Sequence, residues 1–275
     1  MSVVFISYAD GNFKESLLRI KRQAKRLGIF NRIIAYTPKD LPLYIKSSPL
    51  MAFSCGGGYW AWKPYIIHKT LSECEEGDIV VYVDAGCRLA EGLEWKEYLS
   101  YLDTYHAILF QYRNDCDYGW QKVYGLDEKN ASPAILHWMK PSCIDFFNQK
   151  FDSVDYLDYN KIWGGFMMFR KTKEKLRFVE DWYSITLFHP ELVMDPYGVE
   201  LDRLPASFSR HRHDQSIITP LAYYYHETDK ILVLPEKSES DKAHAVVAAD
   251  RYQVGKLPLI LYLKYKIYHF IHKDI

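Results

Sequence analysis

The chain has 275 residues, 48% apolar and 25% charged, with 35 basic residues balancing 35 acidic ones. That composition is ordinary for a folded globular protein with a sizeable core, and zero net charge argues against non-specific nucleic-acid binding by the chain as a whole. The 23 Tyr, 14 Phe and 7 Trp supply flat apolar faces, many with polar tips, which suit sugars, nucleotides and interfaces.

Val3 to Tyr8 reads as a first strand, and Asp10-Gly11-Asn12 as a turn and helix cap. Phe13, Leu17, Ile20, Ala24 and Leu27 then recur at helical spacing, with Gly28 as a stop. Arg32 to Tyr36 is the next strand, so the chain opens as a βαβ unit of Rossmann-like type. The turn after the first strand is neither G-x-G-x-x-G nor a phosphate-cradling P-loop, which excludes the usual dinucleotide and NTPase fingerprints.

A connection with three prolines, Pro38 to Met51, leads to Gly56-Gly57-Gly58-Tyr59-Trp60-Ala61-Trp62-Lys63-Pro64. Three glycines permit close backbone approach to a ligand. Pro64 suits the first turn of a helix running to about Glu76, which places Lys63 at a helix N-terminus, where an anion such as a diphosphate is favoured. The run Ile79 to Val83 between Asp78 and Asp84 predicts a buried parallel strand, and Ala85-Gly86 follows the second acid. Ligands of open α/β sheets bind outside the carboxyl ends of strands, where Asp84 would sit, with Arg88 nearby.

Leu93 to Leu102 predicts a helix and Ala107 to Tyr112 a strand. Residues 113 to 133 are expected to form a long loop or lid. Pro141 to Phe147 reads as a helix, and Trp163-Gly164-Gly165 as an aromatic turn entering a buried strand that reaches Phe169. Lys171 to Leu187 is helical in pattern, and 190 to 205 loop-like. Ser209-Arg210-His211-Arg212-His213-Asp214-Gln215 precedes an apolar run from Ile217, so Asp214 and Gln215 fall in a first helical turn. His211-x-His213 lacks a third zinc ligand at a diagnostic distance, whereas Asp84 with a later Asp or His suits Mg²⁺ or Mn²⁺ shared with phosphates. Ile231 to Leu234 is a late strand. From 241 the chain is expected to form a basic, amphipathic C-terminal segment able to lie on an anionic membrane.

Cys55, Cys74, Cys87, Cys116 and Cys143 form no C-x-x-C pair and fit reduced thiols of a cytoplasmic protein. Neither a secretory leader nor an apolar stretch of the ~20 residues needed for a membrane span is evident.

The Gly56–Pro64 segment, Val81-Tyr82-Val83-Asp84-Ala85-Gly86 and His213-Asp214-Gln215 together resemble bacterial GT-A-fold glycosyltransferases of the surface and capsular polysaccharide type, over roughly residues 1 to 235. The resemblance implies an α/β, GT-A-like Rossmann-type sheet flanked by helices. It implies one large domain, 1–240, with a nucleotide-sugar-binding half at 1–112 and an acceptor-side half at 113–240. The implied activity is transfer of a sugar from a nucleotide-sugar to a glycan or lipid-linked glycan, as in capsule or lipopolysaccharide synthesis. The implied location is cytoplasmic, peripheral on the inner membrane face, with no nucleic-acid partner. Tyr59, Trp60, Trp62, Gly58, Lys63, Asp84 and Arg88 would hold the donor, Trp163, Gly164 and Gly165 the acceptor, and Asp214, with His213 second, the reacting centre. The second acid of the family's D-x-D is Gly86 here, so Mn²⁺ or Mg²⁺ would rest on Asp84 with another residue, or Lys63 and Arg88 would replace it. The rival activities are a nucleotidyltransferase acting on sugar phosphates and a non-catalytic glycan-binding module.

Overall fold

A computed structural model describes residues 1–128, 130–173 and 176–250. The chain begins with β1 (Val3–Tyr8), helix Lys14–Leu27 and β2 (Arg32–Tyr36), and the two strands are parallel. Leu17, Ile20 and Ala24 form the buried stripe of that helix, which ends at Gly28. β3 (Ile79–Val83) then pairs with the other side of β1, again in parallel. Every residue of β3 is fully buried, as a continuous apolar run requires of a strand covered on both faces.

The remaining strands are β4 (Arg88–Leu89), β5 (Ala107–Gln111), β6 (Phe166–Arg170), β7 (Ile231–Pro235) and β8 (Val247–Ala248). Six of them make one sheet in the order β2-β1-β3-β6-β5-β7. β6 is antiparallel to both its neighbours, while β5 and β7 are parallel. Helix Lys14–Leu27 packs on β1, β2 and β4, and helices Trp62–Ser72, Arg177–Phe188 and Asp214–Tyr225 pack in succession. The expectation of an α/β Rossmann-type sheet flanked by helices in one domain is met.

Two consequences of this topology position the site. The chain leaves β1 for β2 on one side and returns to β3 on the other, so the gap between the carboxyl ends of β1 and β3 is a topological switch point. Because β6 runs backwards, its amino end lies beside the carboxyl end of β3, with Phe166 opposite Val83. Trp163-Gly164-Gly165 is thereby carried to Asp84, whose N–H donates to the Gly165 carbonyl at 2.9 Å.

Several boundaries differ from the sequence expectation. The helix expected from Pro64 to about Glu76 runs Trp62–Ser72, so Pro64 is its third residue, where its missing N–H still costs nothing. The helix expected over 171–187 is Arg177–Phe188, and that expected at Pro141–Phe147 continues to Phe151. The expected lid, residues 113–133, contains a short helix, Trp120–Tyr124, anchored by buried Trp120. β4 and β8 are too short for any periodicity to reveal, yet they pair with each other. β8 lies in the segment expected to stand apart from residue 241 onward. Residues 251–275, which carry the predicted amphipathic stretch, lie outside the described residues. No helix among the described residues is long and apolar enough to cross a membrane.

Candidate active site

At the switch point lies a cleft of about 650 Å³. Its walls come from the end of β1 (Tyr8, Ala9, Asp10), the glycine segment, the end of β3 (Asp84, Ala85, Gly86), the turn before β6, and Arg212 to Gln215. Residues separated by 151 positions meet there, as Lys63 and Asp214 do.

Lys63 is 1% exposed. Its Nζ donates to Asp214 Oδ2 at 2.6 Å and to the Gly164 carbonyl at 3.0 Å, and lies 3.6 Å from Asp84 Oδ1. Burial by itself would lower the Lys63 pKa, but the Asp214 and Asp84 carboxylates outweigh it and hold the ammonium above its ordinary 10.5. Lys63 therefore cross-ties three cleft walls as a permanent cation. Gly164 is required for this: a Cβ there would stand 2.9 Å from Asp214 Oδ2 and 3.4 Å from Lys63 Nζ. Tyr82, buried in β3, donates its hydroxyl to Asp84 Oδ1. Burial, then the charge of Asp84, pushes that phenol well above 10, so it remains a donor.

The glycine segment is a left-handed turn. Gly56, Gly57, Gly58, Tyr59 and Trp60 have φ of 58°, 59°, 97°, 54° and 58°. Glycines accept this freely, whereas Tyr59 and Trp60 are strained. Trp62 ties the turn down by donating Nε1 to the Gly56 carbonyl at 3.0 Å and stacking on Tyr8, with ring centroids 3.9 Å apart. Gly57 packs so closely that a Cβ would meet Asp10 Oδ2 at 3.0 Å.

His213 is a second strained residue, with φ 49° and ψ −113°. Its ring lies between Tyr59 and Trp60, at centroid distances of 4.9 and 5.5 Å. Nδ1 sits 2.9 Å from the Val193 carbonyl, which assigns the proton to Nδ1 and the lone pair to Nε2. Burial lowers the His213 pKa below 6.5, so the ring is neutral at pH 7. His211 is fully buried, bridges the Lys140 N–H and the Leu192 carbonyl, and is outside the cleft lining.

Of the residues singled out in the sequence, Trp60, Trp62, Lys63, Asp84 and His213–Asp214 line the cleft, as does the Trp163–Gly165 turn. Three do not. Gly58 faces Met51, where a Cβ would meet Sδ at 2.6 Å. Tyr59 donates to Asp195 Oδ2 at 3.2 Å. Arg88, on β4, pairs with Asp250 at 3.1 Å. The structure adds Tyr8, Asp10, Arg212, Gln215 and Glu239. Arg212 and Gln215 belong to the polar run already prominent in the sequence. Glu239, which accepts from Trp163 Nε1 at 3.2 Å, carried no sequence signal.

Three buried polar atoms of cleft residues have no hydrogen-bond partner: Tyr8 hydroxyl, Arg212 Nε and Gln215 Oε1. Buried polar groups are almost always satisfied, so three such atoms on residues of one cleft are unusual. Among the described residues no group of three His, Cys, Asp or Glu converges to hold a metal ion. Asp84 has the Lys63 ammonium 3.6 Å away, and Gly86 stands two residues on.

No family model and no curated protein matches the chain. Solved structures similar to it include the galactosyltransferase LgtC in complex with donor and acceptor sugar analogs (12% identity, 84% of this chain and 72% of that one, TM-score 0.36). Another is the bifunctional glycosyltransferase WbbM (12% identity, 97% and 44%, TM-score 0.43). A third is 4-diphosphocytidyl-2C-methyl-D-erythritol synthase from Anaerococcus prevotii (11% identity, 96% and 98%, TM-score 0.40). These likenesses are remote, and none assigns an activity to this chain.

Proposed function

We propose that this protein is a glycosyltransferase that moves a sugar from a nucleotide-sugar donor to a hydroxyl of a glycan or lipid-linked glycan, in surface polysaccharide synthesis. The observation that carries the reading is the switch-point cleft itself, in which Asp84, Lys63, Asp214 and Gly164 are cross-tied beside unsatisfied Tyr8, Arg212 and Gln215. A donor of this kind has a planar base, ribose hydroxyls and a diphosphate. The cleft offers the Trp60 and Trp62 segment, carboxylates at Asp10 and Asp84, and the Arg212 cation. The leaving diphosphate gains charge in the transition state, and fixed cations stabilise that charge. Arg212 is the cation facing the cleft with an unused donor, while Lys63 offsets the charges of Asp84 and Asp214. An ion entering with the phosphates would meet two carboxylates not bonded to Lys63 Nζ at short range, Asp84 at the end of β3 and Asp10 after β1.

Asp214 and His213 are the proposed groups at the reacting centre. Asp214 is committed to Lys63 by one oxygen and accepts the Gln215 N–H with the other, which suits it to orienting and charge stabilisation. His213 is neutral with a lone pair on Nε2, the form a proton acceptor needs. The carboxylate Asp10 in the turn after β1 disfavours a nucleotidyltransferase, which would place a basic loop against triphosphate there. The cytoplasmic, membrane-peripheral location belongs to the same proposal, with residues 251–275 as the candidate membrane contact.

Thermal melting with UDP, GDP, CDP and CMP, each with and without Mn²⁺, tests the donor site. A nucleotide at a hundred times its Kd stabilises by about 2.7 kcal/mol, a rise of several degrees. Asp84→Ala should abolish the shift, and dependence on Mn²⁺ would show an ion shared between Asp84 and phosphate. A flat response to all four nucleotides would overturn the transferase reading in favour of a glycan-binding module.

A further inference from the structure

A second cavity, of about 660 Å³, opens beyond the carboxyl end of β5. It is distinct from the switch-point cleft, but Tyr112 belongs to the walls of both. Tyr112 is 2% exposed and fixed on three sides. Its hydroxyl donates to Glu239 at 3.3 Å, its ring lies 3.9 Å from the Lys161 ammonium, and Tyr118 packs edge-on against it. The two cavities thus share a rigid aromatic partition.

The chemistry of the second cavity is specific. Arg113 and Asp115 form a two-point ion pair at 2.9 and 2.6 Å, and Lys237 pairs with Glu94 at 2.5 Å. The cations are neutralised by neighbouring acids, which leaves Glu97 as the carboxylate without such a pair. A polyanion finds no free cation here, and a polycation finds one acid. What remains for a ligand is hydrogen bonding and ring faces. Among the described residues the Glu97, Gln111 and Asn114 side chains and the Tyr101 hydroxyl make no hydrogen bond within the chain. The Tyr101 ring is 39% exposed beside them. Amides, one carboxylate and tyrosine rings around an open, near-neutral cavity match the alternating hydroxyls and apolar ring faces of uncharged sugars.

We propose that this cavity is a subsite for a neutral oligosaccharide, which holds the distal sugars of an acceptor whose reacting end lies in the switch-point cleft on the other side of Tyr112. This rests on the transferase reading and adds a substrate class to it: an acceptor of several sugar units, uncharged in the part that extends past Tyr112.

The test uses the full chain on an array of neutral and of sulfated or phosphorylated oligosaccharides, with wild type, Tyr101→Ala and Asn114→Ala compared. Both variants truncate side chains at the cavity rim, and a melting curve checks that each folds. Neutral oligosaccharides of several units should bind wild type, and each variant should bind them at least tenfold more weakly. Nucleotide-induced melting shifts should be unchanged in both variants. The proposal is overturned if no neutral oligosaccharide binds, if only anionic ones bind, or if both variants bind as wild type does. A nucleotide shift without glycan binding would sink the subsite alone. Glycan binding at the subsite without any nucleotide shift would sink the transferase reading and leave a neutral-glycan groove.

Discussion

Two lysines near the cleft are equally buried and behave oppositely. Lys63 is 1% exposed and Lys161 0%. Lys63 is surrounded by oxygens, and its pKa is raised by Asp214 and Asp84 against the effect of burial. The Lys161 ammonium has no hydrogen-bond partner and sits in a box of three rings, 3.2 Å from the centroid of Trp120, 3.9 Å from Tyr112 and 4.1 Å from Trp138. Burial, then the charge of Arg212, pushes its pKa well below 10.5. The lesson is that burial alone does not set the state of a lysine. Carboxylates fix its charge, whereas ring faces compensate only partly for lost water.

The largest expected effect tests the first half of this contrast. Lys63→Met should destabilise the protein by about 3 kcal/mol, because it strands the buried Asp214 carboxylate without its partner, while the partly exposed Asp84 is left to solvent. Combining it with Asp214→Asn should cost less than the sum of the two single changes, measured by denaturant melts as a double-mutant cycle. Strict additivity would mean that the pair is not coupled. The same reasoning makes Asp214→Asn alone an unsuitable probe of catalysis unless its folding is measured alongside transfer.

Gly164→Ala should cost about 1–3 kcal/mol, since its methyl would press on both members of the pair. It should also reduce nucleotide binding if the cross-tie shapes the donor site, which melting with and without nucleotide would read.

Lys161→Met should go the other way, leaving stability at pH 7 unchanged or raised by up to about 2 kcal/mol, as an apolar chain of similar length fills the box. The sign with pH is definite. A folded-state pKa below the unfolded 10.5 means that the unfolded chain binds more protons between the two values, so wild-type stability rises with pH across that window. Any advantage of the variant should therefore shrink between pH 7 and pH 9.5 in melts of the two proteins. An advantage that grows over that range would contradict the depressed pKa.

The smallest effect concerns the histidines. Both His211 and His213 have pKa values lowered from 6.5, chiefly by burial. Their contribution is present above about pH 6.5 and is lost as pH falls through the window below it, at up to about 1.4 kcal/mol per pH unit for each group. Melts at pH 7.5, 6.0 and 5.0 should show this fall, and His211→Asn should flatten it.

Much was legible in the chain. The βαβ opening, the buried parallel strand ending at Asp84, and the helix beginning at Asp214 follow from periodicity and turn chemistry, which are local. Asp84, Lys63, Trp62, Gly164 and Asp214 were all expected at a ligand site, and all line one cleft. Arg88 was expected there on nearness in sequence to Asp84, but the turn after β3 sends it to β4 and Asp250. Glu239 and Tyr112 were invisible as wall residues because nothing in their neighbourhood carries a motif.

The sequence by itself determined the longer strands and helices and which strand ends carry acids and glycines, since these depend on residues within a few positions of one another. Only the tertiary structure decided that β6 runs antiparallel and brings Gly164 to Asp84. It also decided that Lys63 is bound to Asp214, and that Lys161 is enclosed by rings. Such pairings join residues far apart in the chain, and their energies depend on burial and on the partner's distance, neither of which a linear pattern records.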